Sequence, residues 1–147
     1  VPYLYHTACQ SHQSGIPMIR PLVMEYPKDP IAKTQNLSYM LGDALLISPG
    51  FDRDEYELYL PEGRWQDIES KEVYEGMTFV HIENKAFADG GTSLRVFQKE
   101  GTSIPLFAQK EVLHVPAQLW KQEDLEFMTF QKKMLISYCA QNRCIRM

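Results

Sequence analysis

The stretch Tyr39-Met40-Leu41-Gly42-Asp43-Ala44-Leu45-Leu46-Ile47-Ser48-Pro49 constrains this chain most. Its centre, residues 44–47, is an unbroken apolar run with turn-forming or polar residues on both sides. Neither face of such a strand carries a charge, which is the pattern of a strand covered on both faces inside a parallel sheet. The residues between Gly42 and Pro49 are too few for a helix, and Pro49 has no N–H with which to extend a central ladder. Residues before this stretch read as α/β and those after it as antiparallel β. The expectation is a seam between two architectures near residue 50.

Upstream of the seam, Pro2 to Ser14 reads as a helix. Proline suits a first turn, where its missing N–H is not needed. Leu4 and Ala8 share one stripe, and Tyr5, Cys9 and His12 continue it. Gly15 follows as a left-handed cap. Residues 16–26 look extended, since Pro17 and Pro21 exclude a helix interior. Pro27-Lys28-Asp29-Pro30 is a turn by composition, and residues 31–41 hold a short helix leading into the next strand. Two parallel strands with a crossover leave open edges and bare apolar faces. Residues 1–50 therefore read as the end of a larger sheet or barrel.

Downstream, short strands recur at regular spacing. They are expected at residues 56–60, 64–67, 73–74, 77–82, 94–98 and 103–107, with turns at Pro61-Glu62-Gly63, Gly76, Asp89-Gly90-Gly91 and Gly101. In 77–82, Met77, Phe79 and His81 share one face and Thr78, Val80 and Ile82 the other. Such a series predicts an antiparallel sandwich. The Pro61-Glu62-Gly63 turn is expected to pair residues 56–60 with 64–67 and to place Trp65 in the core. In the tail, residues 125–130 and 134–139 suggest a hairpin, and a helix from Ala117 is the competing reading.

At 147 residues, 44% hydrophobic and 23% charged, the chain has the composition of a folded soluble protein with one core, or one small domain plus part of another. A net charge of −4 argues against non-specific binding to nucleic acid or anionic membrane. No apolar run approaches the ~20 residues of a membrane-spanning helix. The first residues have neither a basic segment nor a cleavage pattern, so no signal peptide is read there. The absence of an initial Met points to a piece of a longer polypeptide. Three cysteines, Cys9, Cys139 and Cys144, an odd count, suit free thiols in a reducing, cytoplasmic compartment.

The residues offer little catalytic chemistry. His6 and His12 lack the i, i+4 spacing of a shared metal and read as packing or surface residues. Cys139 and Cys144 have no second Cys/His pair at zinc spacing. No G-x-S-x-G, phosphate-binding or dinucleotide-binding glycine motif occurs. Asp52, Asp54 and Glu55 form an acidic group best explained as a solvated loop. Asn36-Leu37-Ser38 matches a glycosylation acceptor, a pattern common by chance. Arg20 stands out as a charge in a buried strand that requires a carboxylate partner. No catalytic residue, cofactor-binding residue or metal ligand is assigned.

Four ordered segments resemble the C-terminal part of glycoside hydrolase family 31, the α-glucosidase and α-xylosidase family. They are Pro2-Tyr3-Leu4-Tyr5; Gly15-Ile16-Pro17-Met18-Ile19-Arg20-Pro21-Leu22; the stretch from Tyr39 to Pro49; and Tyr59-Leu60-Pro61-Glu62-Gly63-Arg64-Trp65. Val96-Phe97-Gln98-Lys99-Glu100-Gly101 and Ile104-Pro105-Leu106 extend the likeness, while Leu94-Arg95 stands where the family has Ile-Pro. The resemblance implies an α+β chain: the last β/α elements of a (β/α)8 barrel over residues 1–50, then an antiparallel β-sandwich over 51–110, with 111–147 unassigned. It implies a retaining α-glycosidase whose two catalytic aspartates precede Pro2, no cofactor, and an oligosaccharide or α-glycoside substrate met through the full-length enzyme. Ser48 and Pro49 would then sit on the rim of a barrel strand. The free chain is expected to be inactive and to self-associate through strands 16–23 and 44–47. A sugar-binding β-sandwich module, using Tyr56, Tyr59, Trp65 and Tyr74 as a stacking platform, is the alternative.

Overall fold

A computed structural model of the chain describes residues 2–50, 54–83, 94–107 and 125–130. The chain divides into two compact units, residues 19–100 and residues 1–18 with 101–147.

The 19–100 unit holds β1 (Ile19–Pro21), α2 (Leu22–Glu25), β2 (Tyr39–Leu41), β3 (Leu45–Pro49), β4 (Glu55–Leu60), β5 (Arg64–Asp67), β6 (Val73–Glu75), β7 (Thr78–Glu83) and β8 (Leu94–Lys99). A six-stranded sheet runs in the order β1-β2-β3-β8-β5-β6, and a two-stranded ribbon pairs β4 with β7. Every strand pair among the described residues is antiparallel. The parallel pairing expected for residues 44–47 is thus corrected. Leu46 lies opposite Met40 on one side and Phe97 on the other, both antiparallel. The sheet also runs straight through the expected seam, since β3 pairs with β8.

The expected strand at residues 16–26 shrinks to β1. Pro21 has the extended φ of −61° and ψ of 150° and caps the single helical turn of α2. Its ring removes the donor that another residue of ladder would need. Alternation sorts the two faces of the sheet. Met40, Leu46, Phe97 and Trp65 meet Leu58, Leu60, Val80 and Ile82 of the ribbon in one core. The tool for joining the sheets is the Pro61-Glu62-Gly63 turn. It does not make the expected hairpin: β4 pairs with β7, whereas β5 pairs with β6 and β8. A tight turn reverses the chain without dictating which sheet receives it. Gly76 reinforces the crossing, because its N–H donates to Gly63 O at 2.6 Å and a Cβ there would run into the Pro61 carbonyl. Trp65 is fully buried, with Nε1 donating to Pro61 O at 2.8 Å.

Two charged clusters are built into the six-stranded sheet. Arg20, the charge singled out in sequence, contacts Glu25 Oε1 through Nε at 2.8 Å and Asp43 Oδ1 through an Nη at 2.6 Å. Asp67 is buried, accepts from Glu69 N–H at 2.7 Å and Ser70 N–H at 3.3 Å, and pairs with Arg95 at 2.8 Å. Arg95 is therefore the counter-ion of a buried carboxylate.

In the other unit, α1 (Pro2–Ser14) ends at Gly15, whose φ of 75° and N–H to Ser11 O at 2.9 Å close the last turn. Its buried side carries Pro2, Tyr3, His6 and Thr7 rather than the Leu4/Ala8 stripe, and Leu4 and Ala8 are exposed. Thr7 Oγ1 donates back to Tyr3 O at 2.8 Å, which lets a polar residue sit on that side. The helix lies against β9 (Ser103–Phe107), which pairs with β10 (Leu125–Thr129). The partner of residues 125–130 is thus β9; residues 134–139 and the helix expected from Ala117 lie outside the described residues.

Candidate functional site

One concavity of the 19–100 unit is an open cleft of about 370 Å³ between residues 25–30 on one side and Glu62 and Met77 on the other. Each wall is fixed by its own hydrogen bonds. Asp29 holds the first: its Oδ1 accepts from Ile31 N–H at 2.8 Å and Ala32 N–H at 3.2 Å, and its Oδ2 accepts from Tyr59 Oη at 2.7 Å. Burial pushes the Asp29 carboxyl up, but these hydrogen bonds outweigh it and leave the group below its ordinary value. Tyr59 is pushed up to about 12, by burial first and then by the bond to Asp29 and its charge. By alternation Tyr59 belongs with Glu57 and His81 on the outer face of the ribbon, yet it is fully buried.

Tyr26 adds a half-buried ring to the same wall. Lys99 Nζ donates to its hydroxyl at 3.0 Å and lies 5.1 Å from its centroid. On the opposite wall Met77 has a φ of 57° and is 69% exposed. A long side chain at positive φ is uncommon outside glycine and asparagine. Gly76, locked against the 61–63 turn, hands the chain to Met77 in that conformation. Asp29 and Glu25 are both engaged, in turn closure and in pairing with Arg20.

The residues named from sequence are dispersed. Ser48 is buried in an antiparallel strand opposite Arg95, so it and Pro49 do not form a barrel-strand rim. Trp65 and Tyr59 are in the core, and Tyr56 and Tyr74 pack against it, which removes the proposed stacking platform. His6 is buried in α1 and His12 exposed. Asp54 and Glu55 are exposed, and Asp52 lies outside the described residues, as do Cys139 and Cys144. Among the described residues no group of three His, Cys, Asp or Glu side chains could hold a metal ion. No described helix is long and apolar enough to cross a membrane. Sequence reading missed Tyr26. Its available signal was an aromatic ahead of two prolines that bracket a charged pair, in Glu25-Tyr26-Pro27-Lys28-Asp29-Pro30.

Sequence comparison places the chain in a glycoside hydrolase family. The profile of the Glycosyl hydrolase family 31 C-terminal domain matches residues 15–111, and the chain belongs to that family. It is 35% identical over 109 residues to neutral alpha-glucosidase AB of Homo sapiens, covering 71% of this chain and 11% of that protein. Among solved structures it is similar to the cycloalternan-forming enzyme of Listeria monocytogenes, in complex with pentasaccharide substrate. That likeness has a TM-score of 0.63 at 38% identity, over 71% of this chain and 10% of the other. A GH31 alpha-xylosidase from a soil metagenome, complexed with xylose, matches with a TM-score of 0.60 at 25% identity, over 69% of this chain and 15% of the other. The chain thus spans only 10% to 15% of the length of these three proteins.

Proposed function

We propose that the chain is the C-terminal part of a retaining α-glycosidase that hydrolyses terminal α-linked glucose or xylose, and that it braces the catalytic domain without supplying the catalytic carboxylates. The observation that carries this reading is the family match to residues 15–111, which falls on the antiparallel sheets. The glucosidase and xylosidase among its relatives support the substrate class. α1 is the proposed closing helix of a (β/α)8 barrel. The family match begins at residue 15, just after it, and the compact unit of the six-stranded sheet begins at residue 19. These two starts support a seam near residue 18 in place of residue 50. Ile19, Val23 and Met24 are exposed around β1, the sheet's edge strand, and these support self-association of the free chain; Ala44 to Ile47, being buried, do not. A sedimenting monomer at high concentration would remove that part. The odd cysteine count supports a reducing compartment; thiol titration of the native protein giving fewer than three free groups would oppose it.

Hydrolysis requires two carboxylates ~5 Å apart in a retaining site. Aryl α-glucoside and aryl α-xyloside should therefore be turned over by a longer polypeptide containing this chain and not by the chain alone. Turnover by the chain alone, lost on a single substitution within it, is the result that would overturn the assignment.

A further inference from the structure

The cleft between residues 25–30 and Met77 has features that the bracing role leaves unused. Met77 is 69% exposed, so its thioether contributes little to the core, yet it is held at a φ of 57° by the Gly76 contact with the 61–63 turn. Facing walls of this kind, each fixed before a ligand arrives, reduce the ordering cost of binding. The apolar lining comes from Pro27, Pro30, Met77 and the ring of Tyr26. The polar lining is Lys28 and Glu62, both exposed, together with Glu25 and Asp29.

This combination selects a ligand class. Three carboxylates against one lysine repel an anion. Glu25 is paired with Arg20 and both oxygens of Asp29 already accept hydrogen bonds, which leaves Glu62 alone and no cage of free oxygens to hold a cation. A wholly apolar ligand would strand the polar rim. A polyhydroxylated ring fits both sets: its C–H faces pack on proline and thioether, and each hydroxyl both donates and accepts. It can donate to the Glu62 carboxylate and accept from the Lys28 ammonium. The volume of about 370 Å³ lies in the range of small-ligand clefts.

We propose that this cleft binds a neutral pyranose unit of an α-glucan chain, gripped between Met77 and the Pro27/Pro30 wall with Lys28 and Glu62 on its hydroxyls. Recognition of a sugar ring rests on the cleft itself; the choice of α-glucan as its source rests on the family-31 reading.

The test is a titration of the chain with maltotriose, followed by amide shifts of Lys28 and Met77 and by the Met77 methyl signal, with sorbitol as an open-chain control. The expected result is saturable shifts at these positions with a dissociation constant on the order of 1 mM, and none with sorbitol. Met77→Ala and Glu62→Gln should each weaken binding by about fivefold or more without lowering the melting temperature. Glu62 is exposed, so its variant keeps the test decisive should Met77→Ala fold poorly. Absence of saturable shifts at the cleft, equal shifts with sorbitol, or unchanged affinity in Glu62→Gln would each overturn the proposal. Turnover by the longer polypeptide is read separately: activity without cleft shifts removes only the site, and cleft shifts without activity remove only the glycosidase assignment.

Discussion

Strands β3 and β7 belong to the same sandwich and are buried by different rules. In β3, Leu45, Leu46, Ile47 and Ser48 are all buried, although successive residues point to opposite faces. In β7 only Val80 and Ile82 are buried, while Phe79, His81 and Glu83 face outward. The central strand of the six-stranded sheet is covered twice and the ribbon strand once. An unbroken apolar run therefore reports how many faces are covered and says nothing about the direction of the neighbours. The parallel expectation for β3 failed at that step: double coverage is common in parallel sheets, but here the partners β2 and β8 are both antiparallel.

The strongest way to break this account is at the shared inward face. Trp65, fully buried opposite Lys99 and bonded to Pro61 O, anchors it. Trp65→Ala should destabilise the chain by ~3–5 kcal/mol, read as a large fall in melting temperature. An unchanged melt would mean that the two sheets do not depend on a common core.

Paired truncations measure the coverage of each strand face directly. Leu46→Ala and Ile47→Ala remove side chains from opposite faces of β3, and each should cost ~2–5 kcal/mol. The matching pair in β7 should split, with Val80→Ala costing about 1–2 kcal/mol and His81→Ala changing stability by less than about 0.5 kcal/mol. Denaturant midpoints of the four variants decide it. A cheap Ile47→Ala would show that the second face of β3 is not covered.

A finer probe is the exception on the ribbon, Tyr59, which lies on the outer face and is nevertheless buried beneath its bond to Asp29. Tyr59→Phe should cost about 1–2 kcal/mol near neutral pH. The sign of its pH dependence follows from linkage. The folded-state pKa of Tyr59 is raised from 10.0 to about 12, so its contribution is complete below pH 10 and is lost as pH rises toward 12. The Asp29 carboxyl is held below its ordinary value, so the bond to it weakens only as pH falls below that value. The difference between wild type and Tyr59→Phe should be flat across neutral pH and shrink at both extremes. A difference that grows above pH 10 would contradict the assigned hydrogen bond.

How far these features could be read in advance depends on the range of the interaction. α1 and its Gly15 cap, β5 and β9 were legible to the residue, because proline, glycine and alternation act locally. Arg20 was legible as a buried charge, but Glu25 and Asp43 were not, since nothing local ties Asp43 to it. The buried face of α1 was misassigned because Thr7 satisfies its hydroxyl within the helix, which hydrophobicity alone does not register. The crossing between sheets at Pro61-Glu62-Gly63 was missed because it depends on Gly76, far along the chain. The cleft was missed for the same reason: its two walls come from segments roughly thirty to fifty residues apart.

The smallest effect tests whether the outer face of the ribbon is a solvent face. Glu55 and Glu83 lie directly opposite each other in the β4–β7 ladder, and the next outward pair is Glu57 with His81. The His81 ring stands 3.1 Å from Glu57 Oε1 and 3.4 Å from Glu55 Oε2. Like charges across a ladder repel, and opposite charges contribute ~0.2–1 kcal/mol relative to a neutral pair. Glu83→Lys replaces the repulsive pair with an attractive one, so it should raise stability by a few tenths of a kcal/mol. On an open face that gain is screened by ions, and about 0.5 M salt, with a Debye length of roughly 4 Å, should erase most of it. A gain that survives high salt would mean that this face is covered rather than open, and the contrast with β3 would then be one of degree.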